Sequence, residues 1–132
     1  MRSGSTGLQP GAGATWRFIT LAWALAIALL TLLPADRLPP TPAWRLVSFD
    51  TAAHAGVFAA LALPLRMWWR AAGGRLAFWG TFTAALAYGA FIEWLQTALH
   101  WGRHGEWSDL LSDALGALLG AALAVWVPAR WR

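Results

Sequence analysis

The stretch GAFIEWLQTALHWGRHGEWSDLLSD, Gly89 to Asp113, joins two apolar runs through a short polar turn. On either side the chain is dominated by Ala, Leu, Trp, Phe and Gly. Within it stand Glu93, Gln96, His100, Arg103, His104, Glu106, Asp109 and Asp113, so four of the six acidic residues fall in twenty-one positions. A soluble protein would spread such groups over its surface. Their confinement here suggests a chain whose surroundings are mostly apolar.

Composition agrees. Of 132 residues, 58% are hydrophobic and 12% charged, against about 25% charged in a typical soluble domain. All ten basic residues are Arg, there are eleven Trp, and cysteine is absent. The lack of cysteine excludes disulfides, thiolate catalysis and cysteine metal sites. A net charge of +4 does not imply nucleic acid, because no basic stripe is present to follow a phosphate backbone. The arginines instead punctuate apolar blocks, as they do at the ends of membrane spans.

Four such blocks are visible, at about 15–33, 49–69, 76–99 and 108–127. Each approaches the ~20 residues that cross a hydrocarbon core as a helix, and backbone groups in lipid must bond within their own segment. A cleaved signal peptide is the weaker reading of the first block, since PADRLPP offers no small-x-small site. The expected fold is all-α, a polytopic membrane bundle of four transmembrane helices spanning 15–132, preceded by a disordered cytoplasmic tail over 1–14. Arg2, Arg17, Arg66, Arg70, Arg75, Arg130 and Arg132 fall on the side of the N-terminus, and Arg37, Arg45 and Arg103 on the other. The excess places both termini in the cytoplasm, as in a multi-pass membrane protein with an even number of spans.

With that topology the polar residues converge beneath the outer surface. Asp50 and His54 share a face at the start of the second span, and Glu93, Gln96 and His100 share one at the end of the third. Asp109 and Asp113 stand four apart at the start of the fourth, with Arg103 in the preceding loop. Asp50 and Asp109 also suit helix N-termini, where a carboxylate contributes about 0.3–1 kcal/mol, and Ser108 suits an N-cap. Glu93 is harder to explain so simply: a charge inside the membrane must face the bundle and hold a partner, for which Arg103 and His54 are the candidates.

Gly116-x-x-x-Gly120 has the spacing that lets helices approach closely, with Gly80 and Gly89 on the third span as facing grooves. Association of identical chains through this face is a further expectation. Most Trp lie near span ends, whereas Trp23, Trp79 and Trp94 lie deeper and are expected to pack between helices.

The ordered set of Asp50…His54, Gly89-x-x-x-Glu93-x-x-Gln96, Arg103 and Asp109-x-x-x-Asp113-x-x-Gly116-x-x-x-Gly120 resembles the VanZ-like family of small bacterial membrane proteins. The resemblance covers roughly Leu21 to Val127. That family usually carries Asn where this chain has Asp113, and often Lys where it has Thr51, so the cluster here is more acidic. The resemblance implies an envelope protein, and the family takes its name from a protein associated with low-level resistance to teicoplanin.

Three functions compete. In the first, the protein acts on a lipid-linked or amphiphilic envelope substrate at the outer leaflet. His54 is then general acid or base, Glu93 its partner, Arg103 a bidentate anion contact, and Asp109 a fourth candidate catalytic residue. Asp50, Gln96 and Asp113 are candidate binding residues. In the second, the chain is a non-catalytic scaffold or binding partner whose polar cluster only holds helices together. In the third it is a small transporter, which polar groups on one side alone do not favour. No cofactor is expected, and no metal: His100-x-x-x-His104 has ligand spacing, but a loop and Arg103 lie between the two histidines.

Overall fold

A computed structural model describes residues 11–40, 48–74, 77–102, 104–128 and 131. Among these, four α-helices and no strand are present: α1 (Ala12–Thr31), α2 (Phe49–Ala71), α3 (Ala77–Leu99) and α4 (Trp107–Leu123). Short 3-10 turns follow α1 at Ala35–Arg37 and α4 at Ala124–Trp126. The boundaries follow the apolar runs to within a few residues. The helix expected from residue 15 already begins at Ala12, and most of the N-terminal tail lies outside the described residues.

Cross-helix contacts fix the register. Trp23 Nε1 donates to Val57 O, and Gln96 Nε2 donates to Thr31 O at 2.9 Å. Tyr88 donates its hydroxyl proton to Ala24 O, and Arg66 reaches Ala121 O. Consecutive helices therefore run antiparallel, while α1 with α3 and α2 with α4 run parallel. Trp16 Nε1 donates to Trp131 O at 2.7 Å, which brings the two ends of the described chain to the same end of the bundle.

The most extensive packing joins α2 and α4. Gly116 and Gly120 make it possible: a Cβ on either would collide with the backbone carbonyl of Ala55 or Ala59. With hydrogen there instead, the backbones meet and Ala117 and Ala121 are fully buried, the small-residue contact that stabilises helix pairs without a large side-chain core. The facing surface is therefore α2 rather than Gly80 and Gly89. Those two glycines on α3 make room for the Trp69 ring and for the Asp113 carboxylate with the Phe58 ring, respectively. The glycine pair of α4 is covered within the chain, so it is not a free face awaiting a second copy.

Beside an apolar core of Ile27, Phe58, Leu61, Ala62, Ala85 and Ala117, the interior holds polar groups and the surface large apolar ones. Thr20, His54, Thr81, Glu93, Gln96, Ser112 and Asp113 are buried, while Phe18, Leu25, Leu29, Leu115, Leu119 and Trp126 are exposed. Trp79 and Trp94, expected between helices, are 61% and 63% exposed. They stand on the outer face of α3 because Ala85, Gly89, Ile92, Glu93 and Gln96 occupy its inner face. By length and composition two segments, Ala12–Thr31 and Trp107–Trp126, suffice to cross a membrane.

Candidate functional site

The helix starts and ends that meet at one end of the bundle build the site. Ser48 caps the start of α2, its Oγ accepting from Thr51 N at 3.1 Å, and within the next two turns His54 is buried. α3 ends at Leu99, and the chain turns through His100 (φ 53°) and Gly102 (φ 75°); a left-handed backbone is open to glycine and tolerated by few other residues. The segment then folds back over α3: Gly105 N donates to Thr97 Oγ1 at 3.0 Å, and Glu106 N donates to Glu93 Oε2 at 3.0 Å. α4 starts at Trp107 with Glu106 as N-cap, not with the expected Ser108. No side chain of Glu106 caps it. A carboxylate from another helix meets its first donor instead, which completes the helix start and suits its dipole.

Three buried ionisable side chains meet there: His54 from α2, Glu93 from α3 and Asp113 from α4, respectively 9%, 8% and 1% exposed. One donor atom from each lies within 4.8 Å of the other two. His54 Nδ1 and Asp113 Oδ1 are hydrogen-bonded at 2.9 Å, and His54 Nε2 lies 3.6 Å from Asp109 Oδ2. When ionised, Asp113 can only accept; in that state Nδ1–H of His54 donates to Asp113 Oδ1 and Nε2 faces Asp109. A carboxylate holding one imidazole nitrogen so that the other can exchange a proton is the arrangement of a general base. Glu93 Oε1 is buried and has no hydrogen-bond partner among the described residues. The closeness of Gly105 is what lets the loop reach Glu93, since a Cβ there would lie 2.9 Å from Glu93 Oε2.

The remaining expected site residues separate. Asp109 is half-buried at the edge of the cluster. Asp50 is exposed, yet it lines the same cavity as His54. Gln96 is buried but gives its amide proton to the last carbonyl of α1, at Thr31, so it ties helices together. His100 and His104 are exposed and stand beyond the end of α3, where helical i, i+4 geometry no longer applies; His100 Nδ1 bonds Ala98 O at 2.7 Å. Arg103 lies outside the described residues. The sequence reading placed Asp113 among binding groups; it did not single it out as the histidine's partner. The i, i+4 pair Asp109/Asp113 was the available signal, but only the α2–α4 approach selects the deeper of the two.

Beside the cluster opens a cavity of about 440 Å³ between α1, Leu38–Pro40 and the start of α2. Leu30, Leu38, Phe49, Val57 and Phe58 give it an apolar wall, and Asp50 and His54 are its ionisable side chains. His54 thus belongs to both the cavity and the buried cluster.

An all-helical bundle with apolar outer faces and a histidine–carboxylate cluster inside defines a membrane-associated protein. The VanZ/LLP1 family model matches residues 18–128, and the chain belongs to that family. No curated protein and no solved structure matches it.

Proposed function

We propose that this is a multi-pass protein of the bacterial inner membrane that binds, and acts on, an amphiphilic envelope molecule such as a lipid-linked precursor. All four helices span the bilayer in this reading, both termini are cytoplasmic, and the cluster lies beneath the outer surface. Apolar outward faces and polar inward ones support the spans, because lipid replaces water as the solvent and ionisable groups must turn away from it. α2 is the least apolar of the four because it carries Asp50 and His54 near its start and Arg66 and Arg70 near its end.

The observation that carries the ligand class is the cavity. Its volume is in the range of small-molecule sites, its wall is apolar, and its polar edge is Asp50 and His54. An acyl or prenyl chain suits the wall, and a head group suits the edge. His54, oriented by Asp113, is then the proton acceptor or donor, and Glu93 its neighbour. Arg103, between α3 and α4 in the sequence, is the candidate contact for an anionic head group.

A scaffold without chemistry is the second reading, favoured by the His54–Asp113 bond, which joins α2 to α4 as a structural tie would. Lipid and envelope-precursor profiling separates the two. A deletion strain should accumulate or lose a species that returns with the intact gene but not with His54→Ala or Glu93→Gln, at equal protein level in the membrane. Full restoration by both variants refutes the catalytic reading. Teicoplanin susceptibility, measured on the same strains, tests whether the family's association with resistance extends to this chain.

A further inference from the structure

The cluster has a feature that proton chemistry leaves unused. Among the described residues Glu93 Oε1 is buried without a hydrogen-bond partner; its residue is 8% exposed and its carboxylate stands among the donors of His54 and Asp113. An acceptor left empty in a low-dielectric site is costly, and here it lies beside a second buried carboxylate. We infer that His54, Glu93 and Asp113 hold a divalent transition-metal ion, of the Mn²⁺ or Zn²⁺ kind, between α2, α3 and α4.

Charge, spacing and donor type support the assignment independently. Two carboxylates and a neutral imidazole sum with a divalent cation to zero, whereas the same three groups with an imidazolium keep a net negative charge in the bundle interior. Two ligands about 2.1 Å from one ion stand about 3.0 Å apart at the right angle of an octahedral ion and about 3.4 Å apart at the tetrahedral angle of zinc, and Nδ1 of His54 is 2.9 Å from Oδ1 of Asp113. The ion takes the place of the proton those atoms share, and the neutral ring then keeps its proton on Nε2, so in the ion-bound state His54 donates from Nε2 and does not accept there. Closing the third side, where donors lie within 4.8 Å, requires the Glu93 carboxylate to move on the order of 1 Å. One imidazole with two carboxylates suits Mn²⁺ and Zn²⁺, whereas Mg²⁺ and Ca²⁺ favour oxygen alone. The ligands come from three helices, so each is fixed by packing. Asp109 Oδ2, 3.6 Å from His54 Nε2, stands at the edge of this set.

The site is distinct from His100-x-x-x-His104, whose residues are exposed and past the helix end. It depends on the cluster alone and not on what fills the cavity. The two readings can therefore fail separately: a cation-binding protein with unchanged envelope lipids, or the reverse.

The test uses the full chain, purified in detergent, treated with chelator and titrated with Mn²⁺ followed by electron paramagnetic resonance, with Zn²⁺ as competitor and Mg²⁺ in excess. The expected result is one Mn²⁺ per chain, displaced by Zn²⁺. Affinity should fall at least tenfold in Glu93→Gln and in Asp113→Asn, and remain unchanged in the double variant His100→Ala/His104→Ala. That double variant leaves His54 as the sole histidine, so a ¹⁴N coupling on its bound Mn²⁺ identifies the ligand even if the cluster variants fail to fold. No binding by the intact protein, equal binding by both carboxylate variants, or a bound ion without ¹⁴N coupling would each overturn the inference.

Discussion

At the scale of the residue, Asp113 decides how His54 behaves. The bond at 2.9 Å joins side chains that are both at least nine-tenths buried, so removing one partner leaves the other unsatisfied at a cost of about 1–3 kcal/mol. Asp113→Ala should therefore lower the melting temperature of the purified protein clearly, and Asp113→Asn much less, because an amide oxygen still accepts from Nδ1. Equal losses in the two would mean that the carboxylate's charge, not its acceptor geometry, is what the fold requires. Glu93 was legible in the sequence as an acid that must face inward, and it does. Of the two partners the sequence suggests, Arg103 lies outside the described residues, and a His54 ring nitrogen lies within 4.8 Å of a Glu93 carboxylate oxygen. The backbone N–H of Glu106, which donates to Glu93 Oε2, was not legible, because no side-chain pattern records where a loop amide will fall.

At the scale of the element, the decisive contact is α2 against α4. The Gly116-x-x-x-Gly120 spacing marked a close-packing face correctly, but a spacing cannot name its partner, and in a chain so rich in alanine several surfaces qualify. The backbone of Ala55 and Ala59 fills that role. Gly116→Leu or Gly120→Leu should force the helices apart, with overpacking of about 1–3 kcal/mol or more, and should separate His54 from Asp113 at the same time. Leu115→Ala, on the exposed side of α4, should leave the melting temperature in detergent nearly unchanged. Thermal unfolding of the three variants checks both statements. Trp79 and Trp94 illustrate the opposite limit: central position in a span does not place a side chain between helices, because rotation about the helix axis is set by which face holds the small and polar residues.

At the scale of the whole molecule, the distribution of polarity carries the membrane reading. Four helices, their order and nearly all their boundaries were visible in the sequence, since apolar run length and Pro- or Gly-containing connections determine them. The cavity was not, because it depends on how α1 and Leu38–Pro40 lean on α2. The chain contains no cysteine, so single substitutions report sidedness cleanly. His104→Cys should react with an impermeant maleimide added to intact spheroplasts, whereas Ser5→Cys and Trp131→Cys should react only after permeabilisation. Labelling of the terminal positions from outside would invert the topology and move the cluster to the cytoplasmic leaflet.

The shared pocket itself is best tested by distance. In the His100→Ala/His104→Ala background, His54 is the only histidine, so histidine labelled with ¹⁵N at Nδ1 alone and ¹³Cγ-labelled aspartate in lipid bilayers permit a rotational-echo double-resonance measurement without ambiguity at the nitrogen. A hydrogen-bonded pair places Nδ1 within about 4 Å of a carboxylate carbon, and dephasing at that distance, abolished by Asp113→Ala, is the predicted result. No dephasing in the folded protein would mean that His54 and Asp113 point apart, and the account of the site would be contradicted at its centre.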